Sequence, residues 1–450
     1  MHIAVCGTGY TGIITAVVLC EFGHSLSCFD IDPELSESLK AIGLSEPGLE
    51  ELITRYVNSK KLCFMSNLRE TLNSVESVFI TVPSKERPNL DINSSPFFKL
   101  FFDISTHLQR GKYLPLFVRT TVPVGTTSTL VNIVAQARPD LEIGVDYDII
   151  TNPNFMREGS AVHDLMSPDR VVFGLPQMSF QDVNSNARKA IDSIFLPLKN
   201  LNIPFLYTNH ETAELIKNAT MGLVTVKMAY MNELEKLCNC IGVELKSLLK
   251  GIGSDRRVSE SSLMLSASIG GSSLPRISRL LVEAGKNFGV DLSILSEALI
   301  SNNKRLQSLL TKISSYFKSF ANSHNLKASI FGLSFKPFSD DLVESPSLYM
   351  IRSLLQDKIK VSVYDPYFLP KSFNVKRIPE DVISNNDFSL SSSAYNCVNQ
   401  SNILIVMTDW PQFRSLDTSK IHDLMCNNPA LFDCSHVLKN CDKTFQRIAA

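Results

Sequence analysis

His2-Ile3-Ala4-Val5-Cys6-Gly7-Thr8-Gly9-Tyr10-Thr11-Gly12 opens the chain and decides its fold. A short apolar strand runs into a G-x-G-x-x-G pattern. An apolar helix is expected from Ile13 to Phe22, and Ser25 to Phe29 reads as a second strand that stops at Asp30. Strand, glycine turn, helix and strand make a β-α-β unit. Gly7 permits the tight turn, Gly9 lets the main chain approach a pyrophosphate on the helix N-terminal dipole, and Gly12 allows close helix–strand packing. Asp30 can accept hydrogen bonds from an adenosine ribose and would repel a 2′-phosphate, so the expected cofactor is NAD and not NADP. Asp32 is the weaker ribose candidate and is expected to be exposed.

The same rhythm continues outward. Val75 to Val82, Leu116 to Arg119 and Tyr147 to Thr151 read as further strands, each followed by turn residues, which implies a parallel sheet covered on both faces. Residues 1–205 form this domain. Residues 206–315 read as a helical middle domain, with Leu215, Leu223, Val226, Met231, Leu234 and Leu237 as an apolar stripe and with glycine loops at Gly251–Gly253 and Gly270–Gly271. In residues 316–450 the α/β pattern returns, with strands at Ala328–Phe331, Lys360–Tyr364, Asn402–Met407 and Ala430–Phe432. The fold class is α/β, with two doubly wound domains joined by a central helical one.

A net charge of −1 over 450 residues gives no electrostatic footprint for nucleic acid or an anionic membrane. The ten cysteines are Cys6, Cys20, Cys28, Cys63, Cys238, Cys240, Cys397, Cys426, Cys434 and Cys441. They form no C-x-x-C pair and no zinc pattern, and they read as reduced structural thiols with no metal site. No Lys or Arg precedes Lys40, and polar residues interrupt the first apolar run, so a leader or spanning helix is not expected and the expected compartment is the cytoplasm.

Ordered motifs extend over nearly the whole chain: Gly7-Thr8-Gly9-Tyr10, Glu46-Pro47-Gly48-Leu49, Arg119-Thr120-Thr121-Val122-Pro123, Asn152-Pro153-Asn154-Phe155-Met156-Arg157-Glu158-Gly159, Ser167-Pro168-Asp169-Arg170, Glu214-Leu215-Ile216-Lys217, Asn232-Glu233, Gly332-Leu333-Ser334-Phe335-Lys336-Pro337, Tyr364-Asp365-Pro366 and Thr408-Asp409-Trp410. With these the sequence resembles the UDP-glucose/GDP-mannose dehydrogenase family. The resemblance implies an N-terminal NAD-binding Rossmann domain, a C-terminal Rossmann-like domain for a UDP-sugar, a helical dimer core, and substrate held in a cleft. It implies oxidation of a sugar C6 alcohol to a carboxylate with two NAD, through an aldehyde and a cysteine thioester that water hydrolyses. UDP-glucose is the default nucleotide sugar, and a homodimer is the implied assembly. The implied cofactor set is Gly7, Gly9, Tyr10, Thr11, Gly12, Asp30, Pro83, Thr121 and Glu158. Lys217, Ser273, Thr121, Glu158 and Asn154 fall at catalytic positions, and Lys217, Arg257, Gly270 and Lys336 at substrate positions.

Several of those positions depart from the family pattern. The nucleophile loop Gly-Gly-Ser-Cys-x-Pro-Lys-Asp is here Gly270-Gly271-Ser272-Ser273-Leu274-Pro275-Arg276-Ile277, so a serine replaces the cysteine. A thiol ionises near pH ~8.5, whereas a serine hydroxyl needs a dedicated base. Ile277 replaces the aspartate that orients water. Arg276 replaces a lysine with charge kept and shape changed. Asn154 replaces a glutamate, and Met221 an asparagine. Val343 and Ser435 each stand where the family has an arginine. The sequence therefore supports two readings: an NAD-dependent sugar-nucleotide 6-dehydrogenase with altered or truncated chemistry, or a non-catalytic relative that binds NAD or a nucleotide sugar or serves as an oligomer partner. A related hydroxyacid-type dehydrogenase is disfavoured by the Lys336 and Trp410 regions.

Overall fold

A computed structural model describes residues 1–32, 46–83, 96–258, 263, 265–320, 326–438 and 445–448. The chain divides into two compact units, Met1–Ala219 and Thr220–Ala450.

The first unit is built on one sheet: β1 (His2–Cys6), β2 (Ser25–Phe29), β3 (Leu62–Met65), β4 (Ser77–Ile80), β5 (Leu114–Val118), β6 (Tyr147–Thr151), β7 (Val171–Gly174) and β8 (Phe205–Thr208). Their spatial order is β3-β2-β1-β4-β5-β6-β7-β8, and every neighbouring pair is parallel except β6–β7. Chain order reverses between β1 and β4, which opens a crevice at the carboxyl ends of those strands. The central strands are apolar on both faces because both are covered: Ile3, Val5, Phe79 and Phe117 belong to one core, and Ala4, Val78, Ile80 and Leu116 to another. Phe79 and Phe117 stack with ring centroids 4.5 Å apart.

The first helix runs from Tyr10 to Glu21, three residues earlier than expected. Gly9 is its N-cap, and the Ile13 amide donates to the Gly9 carbonyl at 3.0 Å, so the last half of the glycine pattern is the first helical turn. The strand expected at Val75–Val82 pairs only over Ser77–Ile80, and that expected at Leu116–Arg119 lies at Leu114–Val118. β8 extends the sheet past residue 205.

In the second unit the helix His210–Ile241 continues, followed by helices Leu245–Gly253, Leu274–Asn287 and Ser293–Lys318. Gly251–Gly253 is thus the end of a helix and not the loop expected from its glycines, whereas Gly270–Gly271 does form a loop. The expected stripe on the long helix is also revised. Met231 is buried, but Leu223 and Leu237 are exposed, and the packed face carries Thr225, Met228, Asn232, Glu235 and Cys238. A mixed row of small, polar and sulfur residues lacks the contrast that marks a buried face in sequence. Beyond the helices, β9 (Lys327–Phe331), β10 (Lys360–Tyr364), β11 (Phe388–Leu390), β12 (Ile403–Val406), β13 (Ala430–Asp433) and β14 (Gln446–Arg447) form an all-parallel sheet in the order β11-β10-β9-β12-β13-β14.

Six cysteines are buried (Cys6, Cys20, Cys28, Cys238, Cys397 and Cys434). Cys426 is half-buried, Cys63 and Cys240 are exposed, and all nine are free thiols. Cys441 lies outside the described residues. No helix among the described residues is long and apolar enough to cross a membrane.

Candidate cofactor and substrate sites

The residues expected to hold a dinucleotide lie at the carboxyl ends of the first unit's strands: Gly7 after β1, Asp30 after β2, Pro83 after β4, Thr121 after β5 and Glu158 after β6, with the catalytic candidate Asn154 on the same loop as Glu158. The turn is tight because nothing larger fits. A Cβ on Gly7, where φ is +105°, would lie 2.7 Å from the Val82 nitrogen, and a Cβ on Gly12 only 1.8 Å from the Gly7 carbonyl oxygen. Thr81 stitches the crevice, its hydroxyl donating to the Cys6 and Gly7 carbonyls at 3.0 and 2.7 Å. Gly9 is different: a Cβ there meets nothing within 4 Å. That open space lies before a helix N-terminus without a side-chain cap and without an acid in its first turn. The space suits a pyrophosphate, because the main-chain N–H groups of a helix start and the positive end of its dipole favour an anion. Asp30 accepts the Thr8 amide at 2.5 Å and the Asp32 amide at 3.0 Å, and Asp32 is exposed as expected.

The loops after β5 and β6 meet the helix that carries Lys217. Lys217 is buried, and its ammonium lies 5.4 Å from the centre of the Phe155 ring, whose face also carries the Arg170 guanidinium at 4.1 Å. Burial first, and the Arg170 charge second, lower Lys217 from 10.5 to about 8. A substantial neutral fraction at mildly alkaline pH lets it take a proton. Thr121 and Glu158 are half-buried, as is Asn154, whose amide donates to the Arg119 carbonyl at 3.4 Å.

Three residues with no role assigned from sequence hold these loops. Arg119 is buried, donating to the Thr15 hydroxyl at 3.0 Å and to the Asn152 side-chain oxygen at 2.5 Å. Glu214, one turn before Lys217, accepts the amides of Gly125 and Thr127 at 2.6 and 2.8 Å and the Thr127 hydroxyl at 2.7 Å. It thereby fastens the Lys217 helix to the start of helix Thr126–Ala137. Burial raises Glu214 to about 7 against the pull of those donors. Glu46 accepts three further hydrogen bonds. All three sit in motifs that the sequence shows, but their partners are main-chain amides or single polar side-chain atoms distant along the chain, which leave no complementary charge to find.

In the second unit, Gly270 and Gly271 lie under Phe335 and Glu344. A Cβ on Gly270 would be 2.6 Å from the Glu344 carbonyl oxygen, and Gly271 has φ +90° with Phe335 ring atoms 2.7 Å from its ideal Cβ. The Ser272 amide donates to Asp341 at 2.7 Å. Ser273 is exposed at the N-cap of helix Leu274–Asn287 with no cap hydrogen bond, and among the described residues no carboxylate or imidazole receives its hydroxyl. Ile277, one turn on, is 1 % exposed and belongs to the packed interior. Met221 is half-buried. Arg257 is exposed and paired with Asp255 at 2.6 Å. Lys336 is half-buried, with its ammonium 5.6 Å from the Phe335 ring centre. Val343 is exposed and Ser435 half-buried. The C-terminal motifs converge on one buried carboxylate: Asp365 accepts the Leu333 and Ser334 amides at 2.7 and 3.2 Å and the Trp410 indole N–H at 3.2 Å.

Comparison with known proteins agrees with this geometry. Residues 1–194 match the NAD binding domain of the UDP-glucose/GDP-mannose dehydrogenase family, residues 211–304 its central domain and residues 329–440 its UDP binding domain. The UDP-glucose 6-dehydrogenase of Rickettsia typhi is 30% identical over 98% of this chain and 96% of its own length, and that of Rickettsia bellii is 29% identical with the same coverage. A UDP-glucose dehydrogenase structure from the archaeon Pyrobaculum islandicum superposes with a TM-score of 0.82 at 25% identity, covering 100% of this chain and 97% of that one. A UDP-D-ManNAc dehydrogenase from Pyrococcus horikoshii shares the fold, with a TM-score of 0.79 at 21% identity and coverage of 99% and 98%. The chain belongs to the UDP-glucose/GDP-mannose dehydrogenase family, and its cofactor is NAD.

The glycine geometry separates packing from binding. Gly12→Ala is expected to lower unfolding free energy by about 3 kcal/mol, because backbone must move to admit the methyl group. Gly9→Ala should leave urea unfolding within about 0.5 kcal/mol of wild type yet weaken NADH binding at least about tenfold, since its methyl enters the pyrophosphate space. Denaturant curves and NADH titrations on both variants check this contrast.

Proposed function

We propose that the protein is an NAD-dependent dehydrogenase of a UDP-sugar, acting at the sugar C6 alcohol, in which the first oxidation is retained and the thioester-based second one is altered. The observation that carries this reading is an asymmetry. The first unit presents a complete dinucleotide turn, Asp30, and a buried Lys217 lowered to about 8. In the second unit Ser273 is exposed without a base, and Ile277 is turned into the interior.

NAD, when bound, supplies hydride acceptance. The chain's own groups do the rest. Lys217 takes the proton of the C6 hydroxyl, and Thr121 and Glu158 orient the reacting group and water. Lys336 and Arg257 are the proposed contacts to the UDP-sugar anion, Arg257 by reaching a second subunit. Gly270 acts by letting its loop lie close under Glu344. Ser273 could add to an aldehyde as a hemiacetal. Asn154 cannot serve as the general base that hydrolysis of an acyl intermediate needs. UDP-glucose is the proposed substrate, by likeness to the relatives that bear its name. The binding-only relative remains the second reading, favoured by Ser273, Ile277, Asn154 and Met221 together.

The division near residues 205 and 315 is supported by the separate NAD-binding, central and UDP-binding matches. A homodimer is supported by Leu223, Tyr230 and Leu237, which are exposed at seven-residue spacing on the long helix with Ile241 beside them. Leu237→Lys should shift the protein from dimer to monomer in sedimentation velocity; a wild-type monomer would refute that assembly. A cytoplasmic location is part of the same proposal.

A panel of UDP- and GDP-sugars with NAD tests the function by NADH absorbance. NADH should form with a UDP-sugar, at a rate rising with pH through about 8 as Lys217 loses its proton. Lys217→Ala should lower that rate at least about a hundredfold. Ser273→Cys alone should yield no sugar acid at family-like rates, because Asn154 and Ile277 are unchanged. Saturable NAD binding with no NADH from any sugar would favour the second reading.

A further inference from the structure

Glu46 sits in the Glu46-Pro47-Gly48-Leu49 motif, to which the resemblance assigned no role. Its carboxylate is buried and accepts three hydrogen bonds, each of 2.6 Å. The Tyr10 hydroxyl and the Gly159 amide donate to Oε2, and the Ala161 amide donates to Oε1. Tyr10 is the first residue of the helix after the dinucleotide turn. Gly159 directly follows Glu158, and Ala161 begins the helix Ala161–Met166. One side chain therefore joins the turn after β1 to the loop after β6, although β4 and β5 separate those strands in the sheet. Burial above all, then Glu46 and then Glu158, push the Tyr10 phenol far above its ordinary value. The phenol thus stays protonated, as a donor, with both acids near it.

We propose that Glu46 is a positioning residue of the NAD site, setting the Tyr10 ring and the Glu158 loop against the dinucleotide turn. The chemistry requires a carboxylate. Three donors converge on two oxygens, and a glutamine must turn its NH₂ toward at least one of them, whichever way the amide is flipped. The loss is then more than one hydrogen bond: a buried N–H or O–H is left facing another donor. The proposal rests on the NAD site and is independent of which sugar the protein takes.

NADH titration by fluorescence on the wild type, Glu46→Gln, Tyr10→Phe and the double variant tests it. Glu46→Gln should weaken NADH binding by at least about tenfold, the lower end of the scale for losing a charge-assisted hydrogen bond. The double variant should bind no more weakly than Glu46→Gln alone, because Tyr10 acts through the carboxylate. A purely structural role would lower thermal stability but leave the NADH affinity of the folded protein unmoved. Glu46→Gln affinity within about twofold of wild type, or losses that simply add, would overturn the proposal. Should Glu46→Gln fold poorly, Glu46→Asp keeps the charge without the reach. It should also weaken NADH binding, and wild-type affinity in it would overturn the proposal equally. Failure of the wild type to bind NADH would instead overturn the NAD site itself, and this proposal with it.

Discussion

A carboxylate that accepts main-chain N–H groups is the recurrent fastening in this protein, and the loops of both units depend on it. Asp30 holds Thr8 in the dinucleotide turn, Glu46 holds Gly159 and Ala161, and Glu214 holds Gly125 and Thr127. In the second unit Asp341 takes the Ser272 and Val343 amides, and Asp365 takes those of Leu333, Ser334 and Tyr367. Parallel strands leave their loops at one end of the sheet, where helix starts and turns expose amides without partners. An acid satisfies two or three at once, and the ionic hydrogen bonds offset part of its desolvation. The balance shows in titration: burial raises Glu214 to about 7 even though the Gly125 and Thr127 donors pull it down.

The fold was legible where burial was complete. β1, β2, β6 and β10 lie where the sequence placed them, because each carries apolar residues at successive or alternate positions through its buried centre and is bounded by turn residues. The edge strands β3, β8, β11 and β14 carry half-exposed or exposed residues and give no such run. β7 is only four residues long and directly follows Ser167-Pro168-Asp169-Arg170, so it gives no apolar run of its own length in the sequence. Gly251 and Gly253 signalled a loop, yet the helix Leu245–Gly253 runs through them. The candidate cofactor residues were legible because glycine geometry and the acid after β2 impose spacing. Glu46, Arg119 and Glu214 were not, because their partners are main-chain groups or single polar atoms far along the chain.

The substitutions that set this chain apart fall unevenly. At Gly7 and Gly12 the dinucleotide turn admits nothing larger than glycine, so packing constrains its sequence there, whereas Gly9 faces open space. At Ser273 and Ile277 the helix Leu274–Asn287 is formed with side chains that differ from the family pattern. An isoleucine packs into the interior where an acid would need water or a cation, and a hydroxyl replaces a thiol at a surface cap. A fold can keep its frame through such changes because the frame is fastened elsewhere, by Asp341 below the loop and by Asn302, which pairs with Ile269 through both its amide groups.

The function proposed above is one hydride removal and not two. The direct measurement is deuterium transfer from a UDP-sugar carrying two deuterium atoms at C6, counted by mass spectrometry in the reduced cofactor per sugar consumed. The account predicts one deuterium per sugar, with the second left on an aldehyde. Two per sugar, with a sugar acid as product, would contradict it and show that Ser273 and its neighbours complete the full oxidation by another route.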